Sequence, residues 1–167
     1  RGASTTTWAA AGILPPAPLW RDCPPTDALT AWSDLLHREW ARELRDETGI
    51  DNGLLRSGGL HLASSEAALE SLGAQKDLWL SRGAEAHLLD PRAVFDLEGA
   101  FERGDAAGTI AGAMHLPDEM QIRPSRHLDA LEASCRARGV TIEPGDVRQF
   151  VLRGTRVDRA ITATGDV

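Results

Sequence analysis

The stretch Gly53-Leu54-Leu55-Arg56-Ser57-Gly58-Gly59-Leu60-His61-Leu62-Ala63-Ser64-Ser65 changes the hydrophobic period of the chain, and that change decides the class of fold. Upstream, Leu29, Trp32, Leu36, Trp40 and Leu44 recur at three or four residues, the stripe of an amphipathic helix. That helix is expected over Thr26 to Glu47, capped by Thr26 or Asp27 and ended by Gly49, with the Leu/Trp stripe as core or a domain contact. In the quoted stretch that spacing ends and turn residues enter. Leu54-Leu55-Arg56 and Leu60-His61-Leu62 read as extended pieces around Ser57-Gly58-Gly59, which predicts a hairpin. Ser64 or Ser65 then caps a second helix reaching Leu80, closed by Gly83. Asp90-Pro91 opens a short third helix, with aspartate at the cap and proline in the first turn.

Farther out, residues 99–117 read as loop, and a fourth helix follows Pro124 with the stripe Leu128, Leu131, Cys135 and a stop at Gly139. Strands are expected at Val140-Thr141-Ile142, at Phe150 to Leu152 and at Val157 to Thr164, the last two turned at Gly154. Helices and strands are thus interleaved without a repeat, and the class is mixed α and β.

Composition narrows the functions. An apolar fraction of 42% supports a real core. Lys plus Arg number 18 against 25 Asp plus Glu, a net charge of −7, which leaves no electrostatic footprint for nucleic acid. No apolar run is long enough for a transmembrane helix. Cys23 and Cys135 are isolated, too sparse for a zinc site or a disulfide framework, and are expected as reduced thiols in a cytoplasmic protein. His37, His61, His87, His115 and His127 form no H-x-x-x-H pattern, so they read as core or solvent-facing; His61 stands apart because it lies in the expected hairpin. Ser57 lacks the G-x-S-x-G setting of a hydrolase nucleophile. Asp118 and Glu119 read as loop acids without a partner. The opening at Arg1-Gly2-Ala3 and the end at Gly165-Asp166-Val167 both read as interior to a longer chain.

The first 25 residues are rich in small residues and proline, yet Trp8, Ile13, Leu14, Leu19 and Trp20 are too apolar for a flexible spacer. The run Ser4-Thr5-Thr6-Thr7-Trp8-Ala9-Ala10-Ala11-Gly12-Ile13-Leu14 lets a ligand approach the backbone closely, because Ala and Gly place almost nothing in its way. Threonine hydroxyls add uncharged donors and acceptors.

This run resembles the flavin-contacting segment of the D-amino-acid oxidase superfamily. Arg56-Ser57-Gly58-Gly59-Leu60-His61-Leu62-Ala63 resembles the start of that superfamily's substrate domain, in its glycine oxidase branch especially. Leu116 to Pro124, then Leu128-Asp129-Ala130-Leu131 and Ala137-Arg138-Gly139-Val140, resemble the return into the FAD domain. The order and spacing of the three stretches fit along nearly the whole chain.

The resemblance implies part of a two-domain FAD-dependent oxidoreductase, a Rossmann-like FAD domain joined to an antiparallel-sheet substrate domain. Residues 1–25 would be the flavin-contacting segment, 26–122 the substrate-domain excursion and 123–167 the return to the FAD domain. It implies that Thr6 and Thr7 contact FAD, that Ala11, Gly12 and Ile13 lie along its isoalloxazine ring, and that Val147 offers backbone groups to the adenine. It names no catalytic residue here, because the family's substrate-binding arginine and tyrosine come later in the chain. The phosphate fingerprint G-x-G-x-x-G would precede this stretch. The implied reaction is oxidative deamination of glycine or another small amino acid or amine, in thiamine biosynthesis, with oxygen as acceptor; assembly into homo-oligomers is left open. The alternatives are a D-amino-acid dehydrogenase passing electrons to a quinone, and a non-catalytic binding module.

Overall fold

The computed structural model describes residues 6–20, 22–103, 107–143, 145–163 and 165–166, and divides into two compact units, Arg1–Leu131 and Glu132–Val167. Of the residues named above, Arg1, Gly2, Ala3, Ser4, Thr5, Thr164 and Val167 lie outside the described ones.

In the first unit, α1 (Pro25–Thr48) starts on a proline, which suits a first turn whose N–H groups lack partners. It ends where Gly49, at φ 73°, donates its N–H to Arg45 O at 2.8 Å. Of the Leu/Trp stripe only Leu44 is buried. Ala31 and Leu44 are buried and Asp34, His37 and Ala41 half-buried, whereas Leu29 is 72% and Trp32 65% exposed. The structure thus places most of the stripe outside the core, which leaves the domain-contact reading of it standing.

The expected hairpin is also corrected. The strands β2 (Leu55–Arg56) and β3 (Gly59–Ala63) exist but do not pair with each other. Gly58 sits at φ 69° and gives its N–H to Glu119 O at 2.9 Å, so the chain is redirected onto a distant segment. One three-stranded antiparallel sheet has the order β3, β5 (Gly112–Leu116), β4 (His87–Leu89). The other joins β1 (Ile13–Leu14) and β2 to either side of β6 (Met120–Gln121). Both β4 and β5 fall outside the strands expected from sequence, and β5 lies in the stretch read as loop. It is nevertheless the centre of the core.

Along β5, Met114 and Leu116 face one side and pack with Ala86 against Leu72 and Trp79 of α2 (Glu66–Ser81). Ala113 faces the other side, with Val94 of α3 (Pro91–Leu97), Ile110, and Phe101 of the short α4 (Ala100–Arg103). Two caps are as expected, Ser65 accepting the Ala68 N–H at 3.2 Å and Asp90 that of Ala93 at 2.8 Å, whereas α1 has Pro24 at its cap and no side-chain cap from Thr26 or Asp27. The helix α5 (Pro124–Ala137) follows β6 after two residues.

In the second unit no strand forms at residues 140–142. Gly139 turns the chain at φ 79°, and the Val140 N–H donates to Cys135 O at 2.9 Å, so these residues close the helix end instead. The strands β7 (Val147–Arg153), β8 (Arg156–Thr162) and β9 (Gly165–Asp166) make an antiparallel sheet in chain order, with Gly154 at φ 64° in the first turn.

If β5 is the centre of the core, Met114→Ala should destabilise the protein by about 2–5 kcal/mol in urea unfolding. Leu29→Ala on the outward stripe should stay within about 0.5 kcal/mol. Equal effects would mean that the inward face of α1 is misassigned.

Candidate functional site

Thr6 and Thr7 stand exposed in a turn closed by the Ala10 N–H on Thr7 O at 3.3 Å. Ala11 is exposed and Gly12 half-buried, and Ile13, 61% exposed, opens β1. Pairing of Ile13 with Gln121 and Leu14 with Met120 lays this segment along β6. Gly12 is required there by the protein's own backbone. It sits at φ 77°, a Cβ on it would run into Ile122 O, and its carbonyl accepts the Ile122 N–H at 2.8 Å.

Beside this segment lies an open cavity of about 610 Å³, within the range of small-molecule and cofactor sites. Ala10 and Ala11 wall it on one side, Gly53 and Leu55 on another, and Gln121 to Ser125 on a third. Among the described residues lining it, Arg123 is the charged one. The Arg123 side chain crosses Gly53, where a Cβ would come within 3.3 Å of its Cδ; Gly53 adopts φ 68°. The Arg123 N–H in turn donates to Asn52 O at 2.9 Å.

Asn52, fully buried, was not singled out from sequence. Its amide bridges the Leu54 N–H, at 3.1 Å, and His127 Nδ1, at 3.2 Å. The His127 ring also stacks obliquely on His37, with centroids 5.2 Å apart. Burial, and then the neighbouring His37, hold the His127 pKa below the ordinary histidine value of 6.5. The one available signal for this cluster was the turn-forming triplet Asp51-Asn52-Gly53; its partner lies 75 positions away.

Glu119 is not the partnerless loop acid read from sequence. Its carboxylate is buried, lies over Gly59 where a Cβ would collide with it, and meets His61 Nε2 at 3.2 Å. Asp118 forms an ion pair with Arg56, whose Nε also donates to Pro117 O at 3.2 Å. Val147 lies in the second unit, exposed at the start of β7 and paired with Thr162. Among the described residues no group of three or more His, Cys, Asp or Glu could hold a metal ion, and no helix is long and apolar enough to cross a membrane.

Comparison with known proteins gives this geometry a setting. The family model DAO, FAD dependent oxidoreductase, matches residues 1–167. The human mitochondrial sarcosine dehydrogenase is 29% identical over 139 residues, covering 83% of this chain and 14% of that protein. Glycine oxidase from Geobacillus kaustophilus is 30% identical over 134 residues, covering 80% of this chain and 34% of the relative. Its crystal structure superimposes with a TM-score of 0.80 at 27% identity, over 98% of this chain and 43% of that one. Glycine oxidase from Bacillus cereus, at 24% identity, shares the fold with a TM-score of 0.83 over 99% of this chain and 43% of its own. The chain therefore spans less than half the length of each of these relatives.

Two neighbouring substitutions separate cavity from scaffold. Gly12→Ala should cost about 1–3 kcal/mol in thermal or urea unfolding, through the left-handed backbone and the Ile122 carbonyl. Ala11→Val should leave the unfolding midpoint within about 0.5 kcal/mol, since Ala11 is exposed to the cavity. A Gly12→Ala protein of wild-type stability would remove Gly12 from its scaffold role.

Proposed function

Because the chain belongs to the FAD dependent oxidoreductase family, we propose that it supplies the flavin-facing wall and part of the substrate domain of an enzyme that oxidises glycine or a small N-alkyl glycine. The observation that carries the reading is the cavity beside Ala10 and Ala11. Its floor of small side chains suits a flat ring, and Gln121 and Arg123 offer N–H donors suited to the ring's carbonyl oxygens. The domain plan that goes with it has residues 1–25 against the flavin, 26–122 in the substrate domain and 123–167 returning to the FAD domain. Thr6, Thr7 and Val147 belong to the cofactor site in this plan.

Bound FAD would supply the two-electron acceptor. The chain's own contribution is positional. The Gly12–Ile122 backbone contact fixes the segment the ring rests on, and small residues there admit it without steric cost. In the proposed reaction a hydride leaves the α-carbon of the neutral amine. Water then hydrolyses the resulting imine to glyoxylate and ammonia, or the alkylamine from an N-alkyl glycine, and oxygen, accepting the two electrons and two protons, leaves as hydrogen peroxide. Likeness to glycine oxidase and to sarcosine dehydrogenase supports a glycine-sized substrate. The likeness to sarcosine dehydrogenase also favours a second reading, in which the same oxidation delivers electrons to an acceptor other than oxygen. The pathway we propose is thiamine biosynthesis in the cytoplasm, for which deletion of the gene should create a thiamine requirement.

The intact protein should purify yellow, with flavin close to stoichiometric. With glycine or sarcosine it should consume oxygen and release hydrogen peroxide and glyoxylate, and bulky D-amino acids should turn over more slowly. Ala11→Val should weaken FAD binding without unfolding the protein. A folded, intact protein that stays colourless after incubation with FAD would sink the reading. Dye or quinone reduction without oxygen uptake would shift it to the dehydrogenase form.

A further inference from the structure

Both ends of the buried Asn52 amide are committed. Its Oδ1 accepts the Leu54 N–H at 3.1 Å, which identifies that end as oxygen and turns Nδ2 toward His127 Nδ1, 3.2 Å away. An amide nitrogen only donates, so His127 Nδ1 must be the bare, accepting nitrogen of a neutral ring whose proton is on Nε2. A proton added at Nδ1 would set one donor against another.

The surroundings also oppose that proton. From α1, His37 stands against the ring, with its own Nδ1 buried and unpartnered. On the turn, the Asp51 carboxylate is taken by the Gly53 N–H at 2.8 Å and faces Arg45 at 3.9 Å. Nearby in sequence the charged groups are Arg126 and Asp129 on α5 and Arg123 just before it. The other side of Asn52 leads to the cavity. Its carbonyl holds the Arg123 N–H, and the preceding N–H, that of Ile122, is held by Gly12 O. Consecutive N–H groups of one dipeptide thus tie Asn52 to the Gly12 segment.

We propose that the His127–Asn52 contact is a proton-sensitive latch on this cavity, closed while His127 is neutral and released when it is protonated. The identity of the cavity's ligand rests on the flavin reading above; the latch itself does not. Its sign follows from the ring's lowered proton affinity. The latched state is fully stabilised above the ordinary histidine value of 6.5, and that stability is lost as pH falls through the lowered one. Acidification therefore loosens the segment that Gly12 anchors.

The test measures FAD dissociation from the intact protein, by the fluorescence of released flavin, between about pH 8 and about pH 5. Wild type should lose affinity severalfold over that range. His127→Asn places an uncharged acceptor, Oδ1, where Nδ1 stood, and should hold FAD equally at both ends. Asn52→Asp should keep the contact on protonation, because a carboxylate accepts from the protonated ring, and move the loss of affinity to lower pH, where the carboxylate itself is protonated. A His127→Asn protein with the wild-type pH dependence, or a wild type with none, overturns the latch. Hydrogen-exchange protection factors of the Leu54 and Arg123 amides give a readout that needs no flavin. They should fall on acidification in wild type and stay level in His127→Asn. A protein that binds no FAD at any pH but shows this contrast defeats the flavin reading and keeps the latch; level protection in wild type defeats the latch.

Discussion

The first unit depends on two adjacent backbone groups, the N–H groups of Ile122 and Arg123, which are held by the carbonyls of Gly12 and Asn52. The strands that meet here, β1, β2 and β6, are two residues each. Ladders that short contribute little by themselves. The junction persists because its surroundings leave the backbone no alternative. Ile122 and Asn52 are buried, so an N–H or C=O released there would have no water to replace its partner. Closing this contact brings together residues separated by most of the first unit, and the loop entropy grows only slowly with that separation. The long excursion between them is therefore tolerated, and it carries its own core around β5.

A second lock holds the turn that leads into β6. Gly58 and Gly59 allow the Glu119 main chain and carboxylate to lie directly on β3, and His61 closes the contact. The Arg56–Asp118 ion pair beside it is half exposed and adds at most about 1 kcal/mol. The buried carboxylate matters more, because it would be costly without His61. Two glycines read from sequence as hairpin residues thus serve a contact across the sheet.

What was legible in the sequence followed local chemistry. Ser65, Asp90-Pro91, Gly49 and Gly154 mark helix and turn ends that the structure keeps, because caps and left-handed glycines act within a few residues. What was not legible depended on distant partners. Gly112-Ala113-Met114-His115-Leu116 contains no β-branched residue and becomes a strand only because β3 and β4 flank it. Val140 to Ile142 has strand composition, but the helix end claims the Val140 N–H first. The face of α1 misled because hydrophobicity marks a stripe without saying which face another element covers. In the site, the Ala-Ala-Gly segment was visible as a small-residue run, whereas Asn52 and His127 have no signature until the fold brings them together.

Gly12 shows why a small-residue motif is an ambiguous witness to a ligand. A flat cofactor and the Ile122 carbonyl make the same demand, the absence of a Cβ, and the left-handed backbone makes a third. Loss of flavin from a Gly12 variant would therefore follow equally from a blocked ring or a displaced β6. Ala11 is free of that degeneracy. It lines the cavity, is exposed, and precedes the residue whose carbonyl anchors Ile122. Bulk added there narrows the cavity while leaving the Gly12 backbone conformation and its hydrogen bond available. Ala11 is thus the position at which a cofactor contact and a scaffold role can be told apart.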